Sequence, residues 1–345
     1  MQYRKLGRSD LNVSEICLGT MTFGEQNTEQ EGHAQIDMAL DYGVNFLDTA
    51  EMYSIPARKE TYGRTEEIIG NWIQKTGRRD QVILASKVIG QADWMSHVRN
   101  GSACLDRDNI EQAVEDSLRR LQTDYLDLYQ VHWPDRKTNF FGQLDYQHPE
   151  QEAPTTVAET LTVLNDLVQS GKVRYIGISN ETPWGVMEYL RLSDSLNLPR
   201  IISIQNPYNL LNRSFEIGLA EMSHREQIGL LAYSPLGFGV LSGKYLDRQP
   251  EQARLTLFTG YQRYSNVNGI AATRAYADLA YQYHLKPAQL ALAFVSRRPF
   301  MGSNIIGATN LEQLKENLES IEIELPEMLL KEIEAIHQRF SNPCP

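Results

Sequence analysis

The chain has 345 residues and a formal net charge of −11, which fits one large domain or two ordinary ones and argues against a nucleic-acid partner or an anionic membrane surface. Its three cysteines, Cys17, Cys104 and Cys344, are far apart and form no CxxC pair, so neither a zinc site nor a disulfide framework is suggested. The polar start MQYRKLGRSDLNVSE lacks a signal-peptide core and no stretch approaches the ~20 apolar residues of a membrane span, so a reduced, cytoplasmic setting is expected.

YRKLGRSDLNVSE reads as two short strands around a polar turn, a lid for the barrel bottom. Strand-like apolar runs then recur: Glu15 to Thr20, Val44 to Asp48, Val82 to Lys87, Tyr125 to His132, Val173 to Asn180, Ile201 to Gln205, Ile228 to Ser234 and Asn304 to Ala308. Amphipathic helical segments separate them. In DNIEQAVEDSLRRLQ, Ile110, Val114, Leu118 and Leu121 fall at helical spacing, with Asp108 expected as N-cap ahead of Glu111. TVAETLTVLNDLVQSG is closed by Gly171, and Pro326 opens an extra C-terminal helix, PEMLLKEIEAIHQRF. Alternating β and α units predict parallel strands with helical crossovers, and eight units favour a closed (β/α)₈ TIM barrel over an open sheet. No linker or low-complexity tract interrupts residues 1–345, so a single barrel domain is expected. Two long segments, Ile89 to Arg107 and Pro134 to Pro154, come after the third and fourth strands, on the side where barrels carry their sites.

The residues that close each apolar run are the informative feature. Successive strands end in Asp48, Lys87, His132, Ser179-Asn180, Gln205 and Tyr233-Ser234. In a barrel these ends converge on one mouth. A single polar residue there is explained by solvent; six in a row are not. There is no nucleophile elbow and no HExxH metal spacing, so no metal is expected. What remains is an acid site, with Tyr53 on the loop past Asp48. A tyrosine of ordinary pKa, ~10, is a poor acid at neutral pH, and bringing it to ~7 takes ~4 kcal/mol in favour of the phenolate. One ammonium ~4 Å away, at an effective dielectric of ~20, supplies on the order of 4 kcal/mol. Lys87 is thus expected to tune Tyr53, Asp48 to hold Lys87 charged, and His132 to bind the substrate oxygen.

GVNFLDTAEMY, ILASK, LYQVHWPD, IGISN and ISIQNPYN together resemble the aldo-keto reductase superfamily, from GTMTFG through IIGATNLEQLKENL. Within it the chain resembles the long-chain branch, which includes potassium-channel β subunits and bacterial Tas-type proteins. The resemblance implies the same barrel and a catalytic tetrad of Asp48, Tyr53, Lys87 and His132, with Tyr53 as general acid. It also implies hydride from NADPH and a small carbonyl substrate. The pattern departs after Tyr53, where Ser54 and an insertion replace the usual glycine, and Tyr62-Gly63 mimics the tail of the motif. Spacing from Asp48 assigns the role to Tyr53, with Tyr62 as the alternative.

No GxGxxG comes after the first strand, and Tyr245 after GFGVLSGK rules out a P-loop. As a loop after the seventh strand, Ser234, Pro235, Leu236, Gly237, Gly239, Leu241, Gly243 and Lys244 instead suit a pyrophosphate, through glycine-freed amides and the lysine. By the resemblance, Tyr233 would stack on the nicotinamide, and Ser179, Asn180 and Gln205 would bind its carboxamide. Thr20, Met21 and Asp48 would line the same pocket, and Gly307, Ala308, Thr309, Asn310, Gln313, Glu316 and Asn317 would hold the adenosine end. Gln313 stands where many relatives carry an arginine for the 2′-phosphate; Arg254 lies in the loop from which the long-chain branch draws that cation. Trp133 either packs under the long loop or walls the carbonyl pocket with Phe140 and Phe141. A nucleotide-sensing regulatory subunit is the competing reading, since the same fold serves both; a lyase or isomerase would need a base or metal site that the sequence does not offer. Oligomeric state is left open.

Overall fold

A computed structural model describes residues 1–151 and 153–345. The chain begins with a hairpin, β1 (Tyr3–Lys5) and β2 (Asn12–Ser14), paired antiparallel. Eight parallel strands close a barrel in the order β10-β3-β4-β5-β6-β7-β8-β9, so the (β/α)₈ expectation holds. In chain order these units are β3 (Ile16–Gly19) with α1 (Glu29–Asp41), β4 (Phe46–Asp48) with α2 (Arg64–Thr76), β5 (Ile83–Val88) with α3 (Arg107–Leu121), and β6 (Leu126–Val131) with α4 (Val157–Gln169). They continue as β7 (Val173–Ser179) with α5 (Pro183–Leu196), and β8 (Ser203–Pro207) with α6 (Leu219–Glu226). After β9 (Gly229–Tyr233) come a one-turn helix α7 (Arg254–Leu257), then α8 (Val267–Gln282) and α9 (Pro287–Ser296). β10 (Met301–Ile306), α10 (Leu311–Glu319) and the extra helix α11 (Glu327–Arg339) complete the chain.

Strand alternation sorts the side chains into layers. Leu47, Leu84 and Tyr129 point outward into the core shared with the helices. Phe46, Ala85, Leu128 and Leu231 belong to a second, inner cluster. Leu6, Leu11 and Val13 of the hairpin join that inner cluster, so the hairpin plugs the barrel floor. Its turn requires glycine at Gly7: φ is +58°, and a Cβ there would stand 2.4 Å from the Ile202 carbonyl oxygen.

Two local expectations shift. The eighth strand begins at Met301 rather than Asn304. Gly302 and Ser303 are weak strand formers, but a Cβ on Gly302 would strike Leu6 at 2.7 Å, and Ser303 Oγ donates to the Ser14 carbonyl at 2.8 Å. Close approach of the floor plug thus selects them. The N-cap of α3 is Asp106, whose carboxylate accepts the Asn109 amide at 2.9 Å, and not Asp108. Asp108 sits in the first turn, where its charge still complements the helix N-terminus. Gly171 comes just after the α4 C-cap with φ +78°, the left-handed stop expected of it. Among the described residues no helix is long and apolar enough to cross a membrane.

Candidate active site

The layer above the inner apolar cluster is polar. Two residues on from Phe46, Ala85 and Leu128, period-2 alternation turns Asp48, Lys87 and Gln130 inward at the mouth end of adjacent strands. Asp48 is 2% exposed and Lys87 is fully buried. Lys87 Nζ donates to Asp48 Oδ2 at 2.6 Å and to the Thr49 carbonyl at 2.8 Å, and reaches Tyr53 Oη at 3.4 Å. The other Asp48 oxygen accepts from Gln205 Nε2 at 2.8 Å and Gln130 Nε2 at 3.2 Å. The carboxylate is therefore held on both oxygens, and the ammonium is aimed at the phenol. His132, one residue past β6, presents its ring 5.8 Å from that of Tyr53, edge to face. Its Nδ1 is buried without a hydrogen-bond partner.

Burial pushes the Lys87 ammonium down, but Asp48 and Tyr53 more than offset this, so the group lies above the ordinary lysine value and stays charged. Burial, then the Lys87 charge, hold His132 well below the ordinary histidine range, so its imidazole is neutral. Tyr53 departs from expectation. Burial raises its phenol, Lys87 opposes the rise, and the rise wins. The cost of burying the phenolate exceeds what one ammonium recovers. The phenol therefore holds its proton at neutral pH.

Tyr62 takes no part in this cluster. Its hydroxyl donates to Glu51 Oε2 at 2.6 Å, and burial followed by the Glu51 charge pushes the phenol far up. Trp133 both packs and faces the site: it is 1% exposed, with Nε1 donating to the Gln91 carbonyl at 3.1 Å, and its ring lies 4.8 Å from that of His132. Phe141 stands 5.7 Å from Trp133 and 4.9 Å from Phe140.

The amide-bearing residues are wired to the same cluster. Ser179 Oγ donates to the Gln205 carbonyl at 2.7 Å. Asn180, at φ +53°, donates from Nδ2 to the His132 carbonyl at 2.9 Å and to Ser179 Oγ at 3.1 Å, and accepts from the Tyr233 hydroxyl at 2.6 Å. Asn180 thus offers a ligand an acceptor rather than a donor. Thr20 donates from Oγ1 to the Asp48 carbonyl at 2.8 Å, and the Met21 carbonyl accepts the Ile55 amide at 3.0 Å, bringing the first and second βα loops together.

The loop after β9 corrects one expectation. The Gly237, Gly239 and Gly243 amides close successive turns onto Ser234, Leu236 and Val240, so glycine does not free them. Gly239 is needed instead for its φ of +89° and for closeness to Lys244, whose Nζ would lie 3.0 Å from a Cβ there. Among the described residues, the amides of Leu236 and Phe238 in this turn are without a backbone acceptor, and that of Lys244 reaches only the Ser242 hydroxyl. Leu241 faces the core, 2% exposed. Burial and neighbouring Arg254 push the Lys244 ammonium down; burial pushes the Arg254 guanidinium down, and the groups that favour its charge are the phenols of Tyr261, Tyr245 and Tyr53 rather than a carboxylate. Two adjacent half-buried cations short of counter-charge suit a phosphate-bearing ligand. In the eighth unit Gln313 Oε1 accepts from Thr309 N and Oγ1, both at 3.1 Å, and Asn317 Nδ2 donates to the Gly307 carbonyl at 3.1 Å. A Cβ on Gly307 would meet only the Gly19 carbonyl oxygen, at 3.9 Å, so this strand end leaves room for a ligand.

The family model described as "Aldo/keto reductase family" matches residues 15–338. The chain belongs to the aldo/keto reductase family. It is 53% identical to "Protein tas" of Escherichia coli (strain K12) across the whole of both chains. It is 32% identical to "Uncharacterized oxidoreductase YrpG" of Bacillus subtilis (strain 168), covering 96% of this chain and 94% of that one. It is likewise 32% identical to a "Probable voltage-gated potassium channel subunit beta" of Arabidopsis thaliana, covering 98% and 97%.

In this aldo/keto reductase several buried polar residues are not evident from sequence. Gln130 carries a usable signal, since it precedes His132 by two on an inward-facing strand. Glu51 and its partner Arg99, joined at 2.6 and 3.0 Å, carry none, because their meeting depends on how a long loop folds back. Among the described residues no group of three or more His, Cys, Asp or Glu side chains could hold a metal ion.

Proposed function

We propose that this protein, acting through one barrel unit spanning residues 1–345, is an NADP(H)-dependent oxidoreductase that reduces aldehyde or ketone carbonyls to alcohols, with Tyr53 as general acid. The observation that carries the reading is Lys87, buried between Asp48 Oδ2 at 2.6 Å and Tyr53 Oη at 3.4 Å. A mere binder has no need of that pairing. When bound, the reduced nicotinamide supplies the hydride that the carbonyl carbon accepts. Tyr53 gives its proton to the carbonyl oxygen, and Lys87 stabilises the phenolate left behind. Neutral His132 has a ring nitrogen to offer the same oxygen and fixes its direction. Tyr233 offers a ring for the nicotinamide, with Gln205, Ser179 and Asn180 beside its carboxamide. Lys244 and Arg254 would hold the phosphates.

The groups' pKa directions give a pH profile. Lowered His132 stays neutral as pH falls through ~6.5, where an ordinary histidine gains its proton, and raised Tyr53 keeps its proton past ~10. Carbonyl-reduction kcat/KM is therefore expected to stay flat between about pH 6 and about pH 9. A step near pH ~6.5 that His132→Asn removes would show an ordinary histidine and contradict the arrangement.

The direct test is fluorescence titration with NADPH and NADH, then NADPH oxidation against a panel of aldehydes. Tight NADPH binding with many turnovers is expected. Tight binding without turnover on any carbonyl favours the second reading, a nucleotide-sensing subunit, which the similarity to a probable channel β subunit keeps in view. Arg254→Met is expected to weaken NADPH at least about tenfold while hardly altering NADH, the effect of losing one charged hydrogen bond. Equal weakening of both would remove Arg254 from the 2′-phosphate.

A further inference from the structure

Two long loops border His132, residues 89–106 after β5 and, among the described residues, 132–151 and 153–156 after β6. The first is pinned at three points. Asp135 accepts the Gln91 and Leu105 amides, each at 2.7 Å, fixing both ends. Between them Arg99 turns inward, at φ +43°, and grips Glu51 with both terminal guanidinium nitrogens. Glu51 is fully buried and also accepts the Ile89 amide at 2.8 Å and the Tyr62 hydroxyl at 2.6 Å. It lies three residues after Asp48 and two before Tyr53. One carboxylate therefore ties the loop to the segment that carries the acid.

Apolar packing by Met95, Val98 and Ala103 already seats this loop. A buried ion pair adds little net stability to such packing, but a bidentate fork fixes direction, and it holds Arg99 in a backbone conformation uncommon outside glycine. The same loop carries Trp94, five residues before Arg99, which stays 60% exposed with its ring 5.8 Å from Trp133. The Trp133 ring in turn lies 4.8 Å from that of His132 and 5.7 Å from that of the half-exposed Phe141. Aromatic faces thus run outward from the imidazole, and an exposed cluster of this kind at a site's rim marks a binding surface.

We infer that Trp94 forms the outer wall of the carbonyl site, selecting substrates whose carbonyl bears a flat, extended aromatic group, and that Arg99, through Glu51, is the positioning residue that sets this wall relative to Tyr53. The inference rests on the carbonyl-reductase reading. It is tested with saturating NADPH on two aldehydes, 2-naphthaldehyde and propanal, in wild type, W94A, R99K, R99M and the W94A/R99M double variant. W94A lowers the kcat/KM preference for naphthaldehyde over propanal about tenfold, mostly through KM for naphthaldehyde, the effect of losing one aromatic face. R99M lowers the preference to a similar degree with NADPH affinity intact, R99K recovers part of it, and the double variant loses no more than W94A. An unchanged preference in W94A, or a double variant whose loss is the product of the two singles, overturns the inference; W94A decides alone should R99M not fold. If wild type turns over neither aldehyde, the reductase reading itself has failed. Titration of 2-naphthaldehyde against intrinsic fluorescence then puts the same question to the wall, with about tenfold weaker binding in W94A expected and equal binding overturning it.

Discussion

Tyr53→Phe is expected to lose about a thousandfold in carbonyl reduction, the scale of a removed general acid, while binding NADPH as tightly as the native protein. The substitution deletes one oxygen from a half-buried ring. Lys87 keeps its bonds to Asp48 and to the Thr49 carbonyl, so the ammonium is not left unpaired and the barrel is undisturbed. Lys244 and Arg254 take no part in the Lys87 pairing, and Arg254 keeps the neighbouring Tyr261 and Tyr245 phenols that favour its charge. The loss should therefore fall on kcat, read by NADPH oxidation in a single turnover, with the dissociation constant read by fluorescence. Tyr62→Phe is the control. It should keep reduction within about threefold, yet cost about 1–3 kcal/mol of stability, because the buried Glu51 carboxylate loses a donor. The reverse pattern, with Tyr62→Phe inactive and Tyr53→Phe competent, would transfer the acid role and undo the proposed site.

The contrast between these two tyrosines shows what a sequence can and cannot disclose. Asp48, Lys87 and His132 end successive strands, and strand ends meet at a barrel mouth whatever the loops do, so their convergence is legible from order alone. Tyr53 and Tyr62 both lie in a loop, where nothing periodic fixes direction. Only the fold reveals that one hydroxyl faces Lys87 and the other Glu51. The same limit hides Arg99, which lies 48 residues from Glu51 and looks like any surface arginine. It also explains where glycine and charge mislead. Glycines after β9 suggest freed amides, but a turn consumes amides as readily as it exposes them. Lys87 promises a lowered Tyr53 phenol because a pairwise Coulomb attraction can be written from sequence, whereas burial cannot. The start of β10 is obscured for a related reason: Gly302 makes sense only once Leu6 is seen packed against it.

Lys87→Met should separate the two duties of the buried pair. Removing the ammonium leaves Asp48, 2% exposed, with Gln205 and Gln130 as donors but no counter-charge. Breaking a buried ion pair from one side typically costs about 3–5 kcal/mol, and the two amides should keep this case near about 3 kcal/mol, measured by chemical denaturation. Catalysis should fall independently. The phenolate formed when Tyr53 gives up its proton loses an attraction on the order of 4 kcal/mol, so the reductive step slows about a thousandfold. Adding Asp48→Asn removes the stranded carboxylate. Most of the lost stability should then return, since a pair replaced on both sides is often neutral to folding. Activity should not return, because a neutral amide beside a thioether still offers Tyr53 no cation. If the double substitution recovered turnover along with stability, Lys87 would be serving the fold alone. The phenolate of Tyr53 would then have to be stabilised from elsewhere, with Arg254 the remaining charge that favours it.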